Sequence, residues 1–585
     1  MCGISGVVSL SPDVVLRTED VARMNASIAH RGPDDEGLVD LGGAILAMRR
    51  LSIIDLSGGH QPLLNESGDV ALVCNGEIYN FVELRAALEG RGHRFSSRSD
   101  AETLLHLYEE FGLDFLEQVD GMFAFALWDA KRRRLVLGRD RMGEKPLHYS
   151  VVDGVLIFGS EIKAILAHPA VKARPDWRAI RLYLRHNYVP SPRTAWEGVH
   201  ELPPAHIAVI ENGSCSVRPY WHWPETPDVQ DEPRELIAAR LDTLLSRSVE
   251  IRLRSDVPVG LFLSGGIDSS LVAALAMRRS SQAEVPSFGL SFPGSKWDES
   301  PQQREAALKI GTVHHDVPMT ESGFLDLYHT ALRHFDEPFG DTSMLSTFVL
   351  SKYAAEHVKV VLTGDGGDEL FAGYDHYLGI AGRPPAVDRF PTMWEVWSNA
   401  DLASLVDGDL AACGEPEDPV DSMFKLVHGR SSLEQALAFD RRSLLGDNNL
   451  VKPDRAGMAH GLEARCPLLS HHLAEFVAGL PGDVLLEGGR TKSLLRDMVN
   501  PLYQPGFFDR PKGMFTVPFG DWLRTSLRTD GEELVGALVD RGLVQGDKAL
   551  ALFREHVSGY ANNTRRLRVL VVLEIWLRAC VDPRT

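Results

Sequence analysis

The stretch VGLFLSGGIDSSLVAALAM, residues 259–277, carries the clearest fold signal in the chain. Its first five residues are apolar and predict a buried strand, and residues 271–277 predict a helix. The turn between them contains two adjacent glycines, which let the backbone close around a ligand. A Gly-rich turn before a helix exposes N–H groups at the helix's positive end, where phosphate binds. The stretch therefore predicts a nucleotide site, with its SGGIDSS residues in the loop.

The same alternation continues through the second half of the chain. Apolar runs at 287–292 and 358–362 lie between long helical segments, which is typical of a parallel α/β sheet, and about the last 200 residues are largely helical. No GxxxxGK[ST] loop occurs, which argues against a P-loop kinase or GTPase. The run TGDGGDELFAGY, 363–374, places three acids in a Gly-rich loop, and such acids suit a bound cation or substrate.

The first 200 or so residues have a different pattern. Short apolar runs at 70–73, 122–128, 135–138 and 156–158 predict strands, and residues 81–88 and 101–111 have helical spacing. Residues 220–233, rich in Trp, Pro and acids, predict a linker. We therefore predict an α+β domain over 1–215 and an α/β domain over 235–585.

Bulk composition limits the class of protein. The 585 residues are 44% hydrophobic and 24% charged, as in a globular enzyme, and the net charge of -20 argues against a nucleic-acid partner. The six cysteines include no C-x-x-C pair, which predicts a reducing, cytoplasmic setting. The N-terminus lacks the features of a signal peptide. The apolar run 569–581 is broken by Glu574 and Arg578, so it predicts a buried helix and no membrane partner.

Cys2 is the candidate nucleophile of the first domain. Removal of the initiator Met is expected to give Cys2 a free α-amine, whose pKa is about 7.7–8.0 and which can act as a base for the thiol. A cysteine at position 2 is, on its own, usually an accident of sequence. Taken singly, Asn75-Gly76 is also a common turn dipeptide, and Asp100 could cap a helix.

Several segments accompany Cys2 in order: Gly3 and Gly6, HRGPD at 30–34, RLSIID at 50–55, NGEIYN at 75–80 and SDAE at 99–102. Together they resemble the glutaminase domain of class II glutamine amidotransferases, which implies a four-layered α/β/β/α N-terminal nucleophile fold. The resemblance implies an oxyanion hole made by the Asn75 side chain and the Gly76 N–H. It also implies a glutamine site in which Arg50 holds the α-carboxylate and Glu77 and Asp100 receive the α-ammonium, formed by Arg50, Leu51, Ser52, Ile53, Ile54, Asn75, Gly76, Glu77 and Asp100.

The second domain resembles the ATP pyrophosphatase domain of asparagine synthetases, on SGGIDSS, GDGGDELFAGY, EARCPLL at 463–469 and RPKGMF at 510–515. The resemblance implies Mg²⁺ held by Asp268 and Asp368, and a catalytic Lys512. Asp365 stands near the activated acceptor, where many bacterial members have Glu. The implied ATP-binding residues are Leu263, Ser264, Gly265, Gly266, Asp268, Ser269, Ser270, Leu290, Thr363 and Gly364.

This combination implies glutamine hydrolysis at Cys2, adenylylation of a carboxylate by ATP, and passage of ammonia between two sites. Aspartate is the predicted acceptor, and the predicted assembly is a homodimer. Glu463 and Arg465 are further candidates for the acceptor pocket. Three alternatives stay open: a pathway-specific amidotransferase acting on another carboxylate, a cyclase similar to β-lactam synthetase, and an idle sensor or scaffold that binds glutamine or nucleotide.

Overall fold

A computed structural model describes residues 2–11, 13–224, 232–294, 298–321, 323–385, 395–427, 431–509 and 517–584. Residues 225–231 of the predicted linker therefore lie outside the described part. Within that part, the N-terminal 219 residues contain two antiparallel six-stranded sheets, in the orders β10-β8-β9-β1-β3-β2 and β12-β11-β7-β6-β5-β4. The strands are β1 Cys2–Ser9, β2 Asp35–Asp40, β3 Ala44–Arg50, β4 Leu63–Leu64, β5 Val70–Ile78, β6 Gly121–Asp129, β7 Arg134–Arg139, β8 His148–Val152, β9 Val155–Gly159, β10 Val199–Glu201, β11 His206–Glu211 and β12 Ser214–Pro219.

The two sheets pack face to face because both bury apolar side chains on their inner sides. Ile4 and Leu46 of the first sheet share a core with Val73 and Leu137 of the second. Helices cover the outer faces: α2 and α3 pack on the second sheet, and α1, α4 and α5 pack on the first. These are α1 Thr18–Ser27, α2 Phe81–Gly90, α3 Glu102–Phe111, α4 Ile162–Leu166 and α5 Trp177–His186. The predicted α/β/β/α layering is confirmed.

The second half is built on a parallel sheet in the order β15-β14-β13-β16-β17. Its strands are β13 Val259–Phe262, β14 Pro286–Ser291, β15 Val313–Pro318, β16 Val360–Leu362 and β17 Glu463–Arg465. Helices cover this sheet and form the C-terminal region, as predicted.

The helices of this half are α6 Arg234–Arg252, α7 Ile267–Arg279, α8 Ser300–Ile310, α9 Phe324–Phe335, α10 Ser343–Ala355, α11 Gly367–Leu370, α12 Asp375–Ile380, α13 Asn399–Leu405, α14 Gly408–Ala412, α15 Pro419–Leu426, α16 Ser432–Arg442, α17 Val451–Met458, α18 His471–Ala478, α19 Gly482–Leu485, α20 Ser493–Val499, α21 Phe519–Arg524, α22 Arg528–Asp540, α23 Gly546–Ser558 and α24 Thr564–Trp576.

Helix α7 begins earlier than predicted. It starts at Ile267, so Asp268, Ser269 and Ser270 stand in its first turn and not in a loop. The physical reason is that Gly266 takes the N-cap position, while short polar side chains are tolerated at a helix start. As a result, the side chain of Asp268 projects from a rigid element.

The two halves share one continuous hydrophobic core. Residues of the first sheet and of α5 belong to the same buried cluster as α9 and α24. Two tryptophans meet there: the rings of Trp196 and Trp576 lie edge to face with centroids 5.5 Å apart, and both indole N–H groups donate to the Asp336 carbonyl. No helix within the described residues has the length and apolarity needed to cross a membrane.

Replacing Trp576 by Ala is expected to destabilise the protein by about 3–5 kcal/mol, because the change leaves a large cavity in the shared core. The indole is fully buried, whereas Tyr560 is 85% exposed and Tyr560→Ala serves as the control. The measurement is chemical denaturation followed by tryptophan fluorescence. Equal transition midpoints for the two variants would contradict a core shared through this residue.

Candidate active sites and their junction

Cys2 begins β1 and is almost fully buried, with 6% of its surface exposed. Its backbone N–H donates to the Asn75 Oδ1 at 3.0 Å, and its carbonyl accepts from the Arg31 Nε at 3.0 Å. Burial raises the pKa of the Cys2 thiol to about 11. Because a thiol with this pKa is protonated at neutral pH, it needs a neighbouring base to become a nucleophile.

Asn75 and Gly76 lie side by side on β5, next to Cys2. The Asn75 side chain is fully buried, and its Nδ2 has no hydrogen-bond partner among the described residues. Leaving a buried donor unsatisfied costs about 1–3 kcal/mol. Gly76 has φ 156°, and a Cβ there would lie 2.1 Å from the Met122 carbonyl oxygen, so a side chain is excluded. The site thus holds a spare amide donor that can bind an oxyanion.

The residues after β3 fold around the Arg50 guanidinium. In the sheet register Arg50 is the partner of Cys2. Its Nη2 donates to the carbonyls of Ile54 at 3.0 Å and Asp55 at 2.7 Å. Leu51, Ser52 and Ile53 are buried in the same turn, and the Ser52 N–H donates to Asp34. These contacts place a positively charged group beside the nucleophile strand.

Two buried carboxylates lie at the end of β5 that follows Asn75. The Asp100 Oδ2 accepts from the Ile78 N–H at 2.7 Å, and the Glu77 Oε1 lies 3.3 Å from the Arg465 Nη2. Burial raises the pKa of Asp100 and raises the pKa of Glu77 well above its ordinary value. Buried carboxylates are stabilised in their charged form by a nearby cation. This end of the site is therefore suited to an ammonium group.

A cleft of about 570 Å³ opens at the carboxyl ends of β13, β14 and β16. Ligands of open α/β sheets bind at such strand ends. The side chain of Ser270 does not line the cleft, because it points into the core and is fully buried. The other predicted ATP-binding residues line the cleft together: Leu263, Ser264, Gly265, Gly266, Asp268, Ser269, Leu290, Thr363 and Gly364.

The two predicted metal ligands converge on one cation. Asp268 and Asp368 both bind the Lys492 Nζ, the latter at 2.7 Å. Burial alone would lower the pKa of Lys492, but the two carboxylates raise it above its ordinary value. Carboxylate oxygens are ligands that Mg²⁺ takes, and this pair already meets at a single positive charge. The two aspartates thus fit a divalent cation, with Lys492 as a neighbour.

Sequence reasoning missed Lys492, which lies more than 120 residues from either aspartate. The local sequence signal that could have pointed to it is the Gly-rich segment GGRTKS at 488–493. In the structure Lys492 has a positive φ of 54°. The predicted catalytic residue Lys512 lies outside the described residues, as do all of 510–516.

Charged groups also line the far end of the cleft. The Lys452 Nζ donates to Asp341 at 2.7 Å and to the Asn449 Oδ1 at 3.2 Å. Glu369 accepts from the Tyr374 hydroxyl and from the Asn449 amide. Burial, and then Asp368, raises the pKa of Glu369 to about 7. We name this end, formed by Asp365, Glu369, Tyr374, Asn449 and Lys452, the acceptor end.

Strand β17 joins the two sites. Glu463 and Arg465 are fully buried and do not line the cleft, so their predicted place in the acceptor pocket is wrong. They are drawn away because Arg465 pairs with Glu77 of the glutaminase half and donates to the carbonyl of Arg252 at 2.7 Å. The next residue, Cys466, contacts Thr363 of the cleft at 3.5 Å. Within four residues the chain thus passes from one site to the other.

Comparison with known proteins identifies both halves. A family model described as a glutamine amidotransferase domain matches residues 1–221, and one described as asparagine synthase matches residues 240–578. The chain is 28% identical to "Asparagine synthetase [glutamine-hydrolyzing] 1" of Bacillus subtilis, over 100% of this chain and 98% of the relative. It is 30% identical to "Putative asparagine synthetase [glutamine-hydrolyzing]" of Mycobacterium bovis, over 98% and 97%. It is also 31% identical to "Amidase chyE" of Penicillium rubens, over 87% and 86%.

The order of the two matched regions agrees with the order of the two sites, since Cys2 lies in the first region and the cleft in the second. The asparagine synthase match alone covers more than half of the chain. The chain belongs to the glutamine-hydrolysing asparagine synthetase family.

Proposed function

We propose that this chain is a glutamine-dependent asparagine synthetase that forms asparagine, glutamate, AMP and pyrophosphate from aspartate, glutamine and ATP. The observation that carries the proposal is one chain with two sites that both contact β17: a buried Cys2 beside a spare amide donor, and a nucleotide-sized cleft. The cytoplasmic setting and the homodimer stay predictions.

In the first half-reaction, the α-amine of Cys2 takes the thiol proton, and the thiolate attacks the glutamine amide carbon. The oxyanion that forms is received by the Asn75 Nδ2 and the Gly76 N–H, donors that are fixed before the reaction begins. Arg50 binds the α-carboxylate, while Glu77 and Asp100 bind the α-ammonium. The Cys2 ammonium returns the proton to the amide nitrogen, the C–N bond breaks and ammonia leaves, and water hydrolyses the thioester to glutamate.

In the second half-reaction, the N–H groups of the SGGIDSS turn and the start of α7 bind the ATP phosphates. The acceptor carboxylate attacks the α-phosphorus, pyrophosphate leaves, and ammonia then displaces AMP. Asp268 and Asp368 would hold Mg²⁺, which, when bound, would supply positive charge that offsets the charge of the phosphates. Lys492, which binds both aspartates, adds positive charge at the same place. We keep Lys512 as the proposed lysine at the acyl-adenylate.

Ammonia has to arrive unprotonated, because ammonium is not a nucleophile. The junction at β17 supports internal transfer, since its charged side chains Glu463 and Arg465 are fully buried and ion-paired, Glu463 with Arg465 and Arg465 also with Glu77. A buried path excludes the bulk water that would protonate and dilute ammonia.

The acceptor end supports a zwitterionic amino acid. Lys452 offers an ammonium for a carboxylate, and Glu369 offers a carboxylate for an α-ammonium. Asp365 is half-buried near the reacting end, and burial raises its pKa. Aspartate carries the second carboxylate that is to be activated, so its three charged groups match the charges of this pocket.

A second candidate function is amidation of another carboxylate by the same chemistry. It is favoured by the 31% identity to a relative named as an amidase, which covers 87% of the chain. In that case the two half-reactions are unchanged and only the acceptor differs.

Replacing Cys2 by Ala is expected to abolish glutamine-dependent product and to leave ammonia-dependent product within about 2-fold, because the two half-reactions share only ammonia. The exposed Cys215 provides the control, and Cys215→Ala should keep both activities. Product is measured with glutamine or with ammonium as the nitrogen source. Loss of both activities in a folded Cys2→Ala protein would refute the two-site scheme.

Replacing Asp268 by Ala is expected to lower the rate of AMP formation by about 100-fold or more while glutaminase activity survives. The reason is that mutating even a residue that only hydrogen-bonds to a metal ligand lowers metal affinity or activity by about 10–100-fold. Asp242→Ala, on the exposed side of α6, is the control. Nucleotide products are separated by chromatography. If the wild-type protein forms ADP in place of AMP, the pyrophosphatase assignment fails.

The choice of acceptor is tested by rescue of an asparagine auxotroph together with aspartate-dependent AMP release from purified protein. We expect growth without asparagine and one AMP for each asparagine formed. A well-expressed protein that neither rescues growth nor releases AMP with aspartate, but releases AMP with another carboxylate, would establish the second candidate instead.

A further inference from the structure

Helix α17 faces both sites of the molecule. Lys452, in its first turn, and Asn449, in the turn just before it, line the acceptor end of the cleft. Asp454 follows two residues later, which places it about 200° away around the helix axis. There it is buried, with 3% exposed, and lies against the glutaminase half. One helical turn therefore contacts the acceptor end on one side and the glutaminase domain on the other.

Asp454 binds Arg31 through both carboxylate oxygens. The Arg31 Nη1 lies 2.9 Å from the Asp454 Oδ2, and the Nη2 lies 3.0 Å from the Oδ1. Arg31 is fully buried, and its Nη1 also donates to Glu161 at 2.9 Å. A planar guanidinium held by a bidentate carboxylate has a fixed orientation.

That orientation aims the remaining Arg31 donor at the nucleophile. The Arg31 Nε donates to the Cys2 carbonyl oxygen at 3.0 Å, while the Cys2 N–H donates to Asn75. Both backbone polar groups of Cys2 are thus hydrogen-bonded: the N–H to Asn75 of the glutaminase domain, and the carbonyl to Arg31, which Asp454 of the synthetase half orients. Because the thiol and the α-amine belong to the same residue, this clamp sets the geometry of both.

We propose that Asp454 is a positioning residue of the glutaminase site, supplied by the synthetase half, and that α17 couples the acceptor end to Cys2. The proposal rests on the proposed role of Cys2 as nucleophile. The link at the acceptor end is the Lys452 ammonium, which Asp341 binds at 2.7 Å. An anionic acceptor competes with Asp341 for this ammonium, and a shift of Lys452 moves Asp454 in the same turn.

The test compares four variants of the full-length protein in glutamine hydrolysis without ATP or acceptor. Asp454→Asn keeps the shape of the side chain but removes its charge, and Asp454→Glu restores the charge. Arg31→Lys keeps the positive charge but loses the fork that reaches Cys2 and Asp454 together. Glu83→Gln is the control, because Glu83 pairs across the same two halves, with Arg254 at 2.8 Å, without contacting Cys2.

We expect kcat to fall about 10- to 100-fold in Asp454→Asn and Arg31→Lys with KM for glutamine nearly unchanged, because small misplacements of reacting groups cost rate. Asp454→Glu should recover part of the loss, and Glu83→Gln should match the wild type. A melting temperature close to that of the wild type establishes folding; if Asp454→Asn does not fold, Arg31→Lys decides. A wild-type kcat in these variants, or an equal loss in Glu83→Gln, overturns the positioning role.

The coupling of the acceptor end to Cys2 is tested by measuring the rate of glutamine hydrolysis with and without ATP, Mg²⁺ and aspartate. The wild-type rate should change on their addition, and the Asp454→Asn rate should not. An Asp454→Asn protein that responds like the wild type overturns the coupling. AMP release by the wild type with aspartate is measured in the same samples, so a failure of the proposed function is seen separately from a failure of this inference.

Discussion

The burial of charge between the two halves is the constraint on which the rest of the structure depends. Arg31 and Arg465 are fully buried, and each pairs with carboxylates from both halves: Arg31 with Glu161 and Asp454, and Arg465 with Glu77 and Glu463. A buried charge without its partner is strongly destabilising. These ion pairs therefore hold the antiparallel sheets and the parallel sheet in one relative position.

The shared hydrophobic core acts in the same direction. Trp196 of the first half and Trp576 of α24 both donate to the Asp336 carbonyl. These hydrogen bonds link α24 to the glutaminase half. Flexible linkage between the halves would open the junction to water. A buried, closely packed junction instead suits a reaction whose intermediate, ammonia, is lost by contact with solvent.

The sequence predicted the architecture well because local patterns carry it. Apolar runs became β5, β6, β7, β9, β13, β14 and β16, and the glycines of the SGGIDSS turn marked the strand-to-helix connection. The start of α7 was misplaced because a polar first turn resembles a loop. Lys492 and Asp454 were missed because single charged residues have no periodicity. Arg31 stood in the HRGPD segment without a predicted role, and 423 positions separate it from its partner Asp454. Glu463 and Arg465 were taken as candidates for the acceptor pocket because their pairing with each other, and that of Arg465 with Glu77 of the other half, has no sequence signal.

The most direct test of the account is the origin of the product nitrogen. The purified protein is given glutamine labelled with ¹⁵N in its amide, ATP, Mg²⁺, aspartate and an excess of unlabelled ammonium, and the product is analysed by mass spectrometry. Internal transfer predicts asparagine that keeps the ¹⁵N label despite the excess ammonium. Asparagine with the isotopic composition of the bulk ammonium would contradict a closed path between Cys2 and the cleft.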